Sequence, residues 1–186
     1  MLSLQADRVS DGAALRAFQD SQDRIRSMAL IHERLYQTEN LTRIAFGDYT
    51  RGLIRYLQRV YDAGARGIAL DVRSEEIHLT IDMAVPCGLI LNELLSNALK
   101  YAFPDGRSGT IVVEIASSQS ETQGVPHVTL RVSDDGIGMP PRLDMQRSGT
   151  LGLQLVHTLV GQLGGTLRVE RQRGTRFEIT FPVPGE

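Results

Sequence analysis

The stretch from Leu89 to Phe103, LILNELLSNALKYAF, restricts the fold more than any other part of the chain. Leu91, Leu94, Leu95, Ala98, Leu99 and Ala102 recur at steps of three and four, the apolar stripe of a buried helix. Pro86 suits a first helical turn, where its missing N–H costs nothing. The same helix also carries polar groups that a plain core helix does not need. Glu93 and Asn97 stand four apart and share a face, and Lys100 follows three residues on. A carboxylate, an amide oxygen and an ammonium in one row could hold a hydrated Mg²⁺ and a polyphosphate. An amphipathic helix with a solvated polar face would account for the same row. This stretch alone leaves both readings open.

The chain's 186 residues suffice for one domain of ordinary size plus a smaller appendage. Hydrophobic residues make up 41% and charged residues 23%, the balance of a soluble globular protein. A net charge of −2 argues against a general nucleic-acid binder, which needs a basic surface. The single cysteine, Cys87, cannot form an internal disulfide and lies in an apolar run, where it reads as core filling. No apolar run approaches the roughly 18 residues of a membrane span. The first residues, MLSLQADRVSDG, lack the basic start and apolar core of an export signal. A cytoplasmic protein with no membrane contact within this chain is expected.

Residues 11 to 39 read as one long helix with a heptad seam of Phe18, Ser21, Ile25, Met28, His32 and Leu35. Such a seam needs a partner helix, from this chain or from a second copy. His32 on that seam could accept a phosphoryl group, but a structural histidine packed in a bundle is the simpler reading. Thr38 to Thr42 breaks the pattern, so the expected division is a helical segment over 1–40 and a second domain over 41–186. Ile44 to Phe46 is a short strand candidate, with Gly47 and Asp48 offering a cap to a helix bearing Leu53, Ile54, Leu57, Val60 and Tyr61. Period-two alternation then appears at Ile68, Leu70 and Val72, and again at Ile77, Leu79 and Ile81. Further strands are expected at Ile111–Ile115, Val128–Val132, Thr166–Arg171 and Thr175–Pro182. A helix is expected over 151–164, with Leu151, Leu155, Leu159 and Leu163 at steps of four. Short spacings between strands favour antiparallel pairing and a two-layer α/β sandwich of the α+β class.

Two glycine-rich segments bear on the opening helix. VSDDGIGMP, Val132 to Pro140, leaves a strand whose alternation places Asp134 on the inward face with Val132 and Leu130. An inward carboxylate is costly without a donor, and the exocyclic amine of a purine is such a donor. Gly136 and Gly138 would let the backbone approach a flat ring. A simple turn closing a strand would also explain the segment. SGTLGL, Ser148 to Leu153, runs into a helix start, where freed backbone amides make an anion site. Between the two lies MPPRLDMQR, long enough to act as a flap over a ligand.

The order of these features is specific: acidic/Asn helix, D-x-G-x-G after a strand, glycine-rich helix start, and a G-T-x-F strand at Gly174 to Phe177. NELLSNALKY resembles the N box, DDGIG the first glycine box and SGTLGL the second glycine box of one ATP-binding fold. Histidine kinases, type II topoisomerases, heat-shock chaperones and mismatch-repair ATPases share that Bergerat-type fold. The resemblance covers residues 44 to 182. The N-terminal part is similar to the dimerisation segment of sensor histidine kinases whose acceptor motif reads H-R-x-K-N-N-L-Q. There SLLSLQ closes the acceptor helix, and LSLQ stands here at Leu2 to Gln5. The H-R-x-K-N-N motif is absent, and none of His32, His78, His127 and His157 sits in such a context. The resemblance therefore implies a chain that starts just after the acceptor helix and lacks the phosphoacceptor histidine.

By the same resemblance, ATP and Mg²⁺ are the expected cofactors. Asn97 would ligate Mg²⁺. Glu93 matches the general base of the ATPase relatives, and in kinases helps order the metal shell. Lys100 would contact phosphate, Tyr101 would pack on adenine, and Asp134 would accept from the adenine amine. Gly136, Gly138, Gly149 and Gly152 would give room around the nucleotide, with Thr175 near the adenine pocket. Glu93, Asn97 and Lys100 form the expected catalytic set. The implied activity is γ-phosphoryl transfer to a histidine and on to the acceptor aspartate of a response regulator, in a homodimer joined by the N-terminal helices. A non-catalytic nucleotide-regulated interaction module and a water-activating ATPase of the same fold are the alternatives.

Overall fold

The computed structural model describes residues 43–119, 125–139 and 151–183. The heptad helix over 11–39, the dimerisation segment over 1–40, the flap within 140–147 and Gly149 lie outside these residues. The described elements run β1 (Ile44–Ala45), α1 (Phe46–Val60), β2 (Ile68–Ser74), β3 (His78–Leu79) and α2 (Ile81–Tyr101). They continue with β4 (Gly109–Gln119), β5 (Pro126–Asp134), α3 (Leu151–Gln162), β6 (Thr166–Glu170) and β7 (Thr175–Pro182). No helix among them is long and apolar enough to cross a membrane.

Five strands form one sheet in the order β2-β4-β5-β7-β6. Three of its four ladders are antiparallel, with β4–β5 and β6–β7 joined by short connections, but β2 and β4 run parallel. The antiparallel pairing that short spacings favour thus holds for all ladders of this sheet but that one. The whole of α2 intervenes between β2 and β4, which is the length of connection a parallel pair needs. The second alternating run is also shorter than expected. Only His78–Leu79 is a strand, paired with β1 in a separate two-stranded sheet. Ile81 is already the first residue of α2, which follows Thr80 as N-cap. Pro86 consequently sits inside the helix, not in its first turn. The intrahelical bond it forgoes is to the carbonyl of the exposed Asp82, near the N-terminal end. At α1 the N-cap is Ala45, with no side-chain cap, while Asp48 lies in the first turn and pairs with Arg51 at 2.8 Å.

One face of the sheet is sealed by helices. Its inward residues register in cross-strand rows: Val72, Val113, Val132, Phe177 and Val169, then Ile115, Leu130, Ile179 and Leu167. Against them α2 presents Leu91, Leu94, Leu95 and Leu99, all essentially inaccessible. Burying each such leucine contributes on the order of 2–5 kcal/mol, measured as the loss on truncation to Ala. Cys87 is buried in the same core, and desolvation raises its thiol pKa, as expected of filling. In α3 the expected seam is rotated. Leu153, Val156, Leu159, Val160 and Leu163 are buried, while Leu151 is 66% exposed. Steps of four advance about 40° each along a helix, so the three steps from Leu151 to Leu163 leave one face.

The other face is solvated and carries a row of alternating charge. Arg73, Glu114, Arg131, Glu178 and Arg168 stand directly opposite one another across all five strands. Arg131 Nε lies 2.6 Å from Glu178, and Arg73 Nη1 lies 3.6 Å from Glu114. Glu178→Lys would set a cation between Arg131 and Arg168. A loss of about 1–2 kcal/mol in denaturant unfolding is expected, partly recovered at high salt as the repulsion is screened. A loss independent of salt would contradict the electrostatic origin.

Candidate functional site

The last turns of α2 do not seal completely against the sheet. A cavity of about 410 Å³ opens there, within the usual range of about 300–1,000 Å³ for small-molecule sites. Leu94, Asn97, Ala98 and Tyr101 line it from α2, spaced so as to share one helix face. Val132, Asp134, Thr175 and Phe177 line it from β5 and β7, and Ala102, Ile137, Gly138, Met139 and Leu153 complete the wall. The wall is mostly apolar, with an amide at Asn97 and a carboxylate at Asp134.

Asp134 ends β5 directly opposite Thr175, which opens β7. Its Oδ1 accepts the Gly136 N–H at 3.0 Å and the Thr175 N–H at 3.3 Å. Desolvation holds its carboxyl above the usual carboxylate range, against the lowering effect of the Gly136 and Thr175 donors. The carboxylate is thus fixed, poorly hydrated and acceptor-only, in an apolar wall. That combination suits a flat heterocycle presenting an amine.

Two glycines allow the strand ends to come this close. A Cβ on Gly136 would run into the Ala102 carbonyl. That same carbonyl accepts the Ile137 N–H at 2.9 Å, joining the loop to the end of α2. Gly174 has φ +104°, and a Cβ there would collide with the Asp134 carbonyl.

The structure thus brings Asn97, Tyr101, Asp134, Gly138 and Thr175 to one cavity. Gly136 lies directly behind it, and Gly152 is buried in the first turn of α3. Tyr101 is 58% exposed, at the mouth. Glu93 and Lys100 are not among the lining residues. Glu93 is buried on the flank of α2, and the Lys100 ammonium lies 5.8 Å from the centre of the Tyr61 ring. On a helix, positions 93 and 100 lie nearly together and to one side of 94, 98 and 101, so the row read as one face straddles the edge of the cavity. Val132 and Phe177 went unremarked as wall residues, although alternation with Asp134 and Thr175 points to them. Ile137 and Met139 lie in a loop without period and left no such signal.

Among the described residues no group of three or more His, Cys, Asp or Glu could hold a metal. Mg²⁺ bound with a polyphosphate needs few protein ligands, because it keeps waters and phosphate oxygens, and one amide oxygen at Asn97 fits that role.

Residues 84–185 match the family described as histidine kinase-, DNA gyrase B- and HSP90-like ATPase, and residues 1–61 match a histidine kinase family. The sensor histidine kinase PdtaS of Mycobacterium tuberculosis is 29% identical over 187 residues, covering 98% of this chain and 36% of that protein. The blue-light-activated histidine kinase 2 of Erythrobacter litoralis is 34% identical over 134 residues, covering 69% of this chain and 37% of that protein. The chain therefore spans little more than a third of the length of these relatives. Among solved structures, the histidine kinase domain of the Erythrobacter litoralis EL346 blue-light-activated kinase superposes with a TM-score of 0.73 at 26% identity, over 98% of this chain and 90% of that one. The catalytic domain of histidine kinase ThkA shares the fold, with a TM-score of 0.60 at 20% identity over 79% of this chain and 99% of that one. The expected α+β sandwich and the resemblance to sensor histidine kinases are both upheld.

The raised carboxyl of Asp134 has a consequence for stability. Its folded pKa lies above the unfolded value, so its contribution is present below the ordinary carboxylate pKa and is lost as pH rises through the folded one. Asp134→Asn keeps an acceptor oxygen and removes the charge. The ligand-free variant should unfold at a higher temperature than the wild type at neutral pH, with the difference closing in acid. A variant less stable at neutral pH would show that the ionised carboxylate's hydrogen bonds outweigh its desolvation.

Proposed function

The chain belongs to the histidine kinase-, DNA gyrase B- and HSP90-like ATPase family, and on that premise we propose that it is the ATP-binding catalytic region of a sensor histidine kinase. The observation that carries this reading is the cavity between α2 and the β5–β7 edge, with a fixed carboxylate at one end and an amide on its helix wall. Bound there, ATP·Mg²⁺ would supply the γ-phosphoryl group for transfer to a histidine nitrogen.

The chain's own residues would position and neutralise, which is most of what phosphoryl transfer asks of a protein. Asp134 accepts from the exocyclic amine of the base, its orientation fixed by the Gly136 and Thr175 amides. Val132, Phe177 and Leu153 exclude water from the faces of the ring, and Tyr101 covers the mouth. Asn97 offers its amide oxygen to the metal. Lys100 reaches phosphate by swinging its flexible chain away from Tyr61. Glu93 acts from the flank, on the metal shell. Gly152, in the first turn of α3, would give the phosphates a backbone amide, and Gly149, outside the described residues, is assigned to the same glycine-rich segment.

Of the four histidines, His78 and His157 are exposed on β3 and α3, and His127 bonds the Val125 carbonyl at 2.9 Å. None of these three lines the cavity. The acceptor role is assigned to none of these three, residues 1–40 are assigned to dimerisation with a second copy, and 41–186 to catalysis. The downstream partner is a response regulator bearing an acceptor aspartate, and the compartment is the cytoplasm, where ATP is supplied.

Calorimetric titration tests this reading. The wild type should bind ATP in the presence of Mg²⁺, and Asn97→Ala should lose about tenfold or more in affinity for ATP·Mg²⁺ while retaining most of its affinity for adenosine. Glu93→Gln should bind like the wild type but slow transfer to a supplied acceptor-helix segment. Absence of wild-type binding, or phosphate release with no phosphoprotein, would refute the kinase assignment.

A further inference from the structure

Helix α2 ends at Tyr101 without a glycine cap: its C-cap residue, Ala102, keeps right-handed helical dihedrals. The carbonyls of a last helical turn need partners from elsewhere. Here one guanidinium serves the Leu99 carbonyl of that turn and the Phe103 carbonyl just past the helix end. Arg66 donates from Nη1 to the Leu99 carbonyl at 2.8 Å and from Nη2 to the Phe103 carbonyl at 3.5 Å. A cation at this end also meets the negative pole of the helix.

Arg66 stands on a firm base. It belongs to the α1–β2 loop, in which Ala63 is completely buried. Arg66 N–H bonds the Asp62 carbonyl at 3.2 Å, Gly67 N–H the Gly64 carbonyl at 3.1 Å, and Ile68 N–H the Ala63 carbonyl at 2.9 Å. The start of the same loop places the Tyr61 ring under Lys100. The α1–β2 loop thus grips the last turn of α2 at two points.

That turn also forms part of the cavity wall. Tyr101 and Ala102 line it, and the Ala102 carbonyl holds the Ile137 N–H of the loop that follows Asp134. We infer that Arg66 is a positioning residue for the nucleotide site: by capping Leu99 and Phe103 it sets the last turn of α2, and with it the gap between Tyr101 and Asp134 in which the base sits. Arg66 does not line the cavity, so it acts through the helix end and not on the ligand. This role rests on the nucleotide reading proposed above.

The test is titration of the full chain with adenosine and, separately, with ATP·Mg²⁺, for the wild type, Arg66→Ala, Arg66→Lys and Arg168→Ala. Circular dichroism at the titration temperature establishes that each is folded. Arg66→Ala should weaken both ligands by the same factor, about tenfold, because the defect lies at the base end. Arg66→Lys should fall between it and the wild type, since one ammonium cannot span both carbonyls as a planar fork does. Arg168→Ala, on the solvated sheet face, should bind like the wild type. Folded Arg66 variants that bind both ligands with wild-type affinity, whatever their melting temperature, would reduce Arg66 to a stabilising cap and overturn the inference alone. If Arg66→Ala does not fold, the affinity of Arg66→Lys decides in the same way. A wild type that binds neither ligand would overturn the nucleotide reading and this role with it.

Discussion

The Ala102 carbonyl accepts the Ile137 N–H at 2.9 Å, and this bond ties the end of α2 to the loop leaving β5. It forms only because residue 136 is a glycine, since any side chain there would meet that carbonyl. Around it the two walls of the cavity face each other at a set distance. Asn97 and Tyr101 stand on one side, with Asp134 and Thr175 on the other. The leucine face of α2 supplies the energy that presses helix on sheet, through Leu91, Leu94, Leu95 and Leu99. The hydrogen bond then decides where that pressure stops, because its length leaves little freedom at the helix end.

Period and turn chemistry made much of this legible without coordinates. Asp134 was placed inward by alternation with Leu130 and Val132, and the ladder confirms it opposite Thr175. What was not legible depended on geometry that spacing only approximates. Leu151 looked like core because steps of four nearly repeat a helix turn, but the accumulated drift carries it to solvent. Ile81 continues a strand pattern, yet a helix begins at it: the Thr80 carbonyl already accepts the Met83 and Ala84 N–H groups, with no side-chain cap bond from Thr80. Lys100 shared a row with Asn97, but the Tyr61 ring offers its ammonium a nearer partner. Arg66 carries no signal in the sequence, because its partners lie 33 and 37 positions away and are backbone atoms that no motif marks.

The two faces of the sheet solve different problems. Among the described residues, the inner face is sealed by apolar rows and gives way beside Asp134. On the outer face, the row Arg73, Glu114, Arg131, Glu178, Arg168 crosses every strand with alternating sign. Each such pair contributes only about 0.2–1 kcal/mol, so the row is a modest source of stability. Its larger effect is on strand register. Sliding one strand by two residues would preserve the inward and outward faces while replacing charge pairs with Ser133, Thr129 or Thr180 neighbours. The apolar pattern alone does not penalise such a slip, whereas the charge row does.

A carboxylate in an apolar wall, a gap under a leucine-rich helix and an amide on the wall of that gap are each defects in a core. Asp134 shows this most plainly, since desolvation pushes its pKa up even with backbone donors in place. Filling the gap and neutralising Asp134 while keeping its acceptor oxygen would give a tighter sandwich, because losing a cavity and losing a poorly solvated charge both stabilise. The groups suit the proposed nucleotide, which would present an amine to Asp134, apolar faces to Val132 and Phe177, and a metal-bound anion to Asn97. Core packing alone does not require all three at one end of one helix. The stability this site forgoes is therefore the part that ligand binding can return, since a ligand bound only by the folded state stabilises it in proportion to its affinity and concentration.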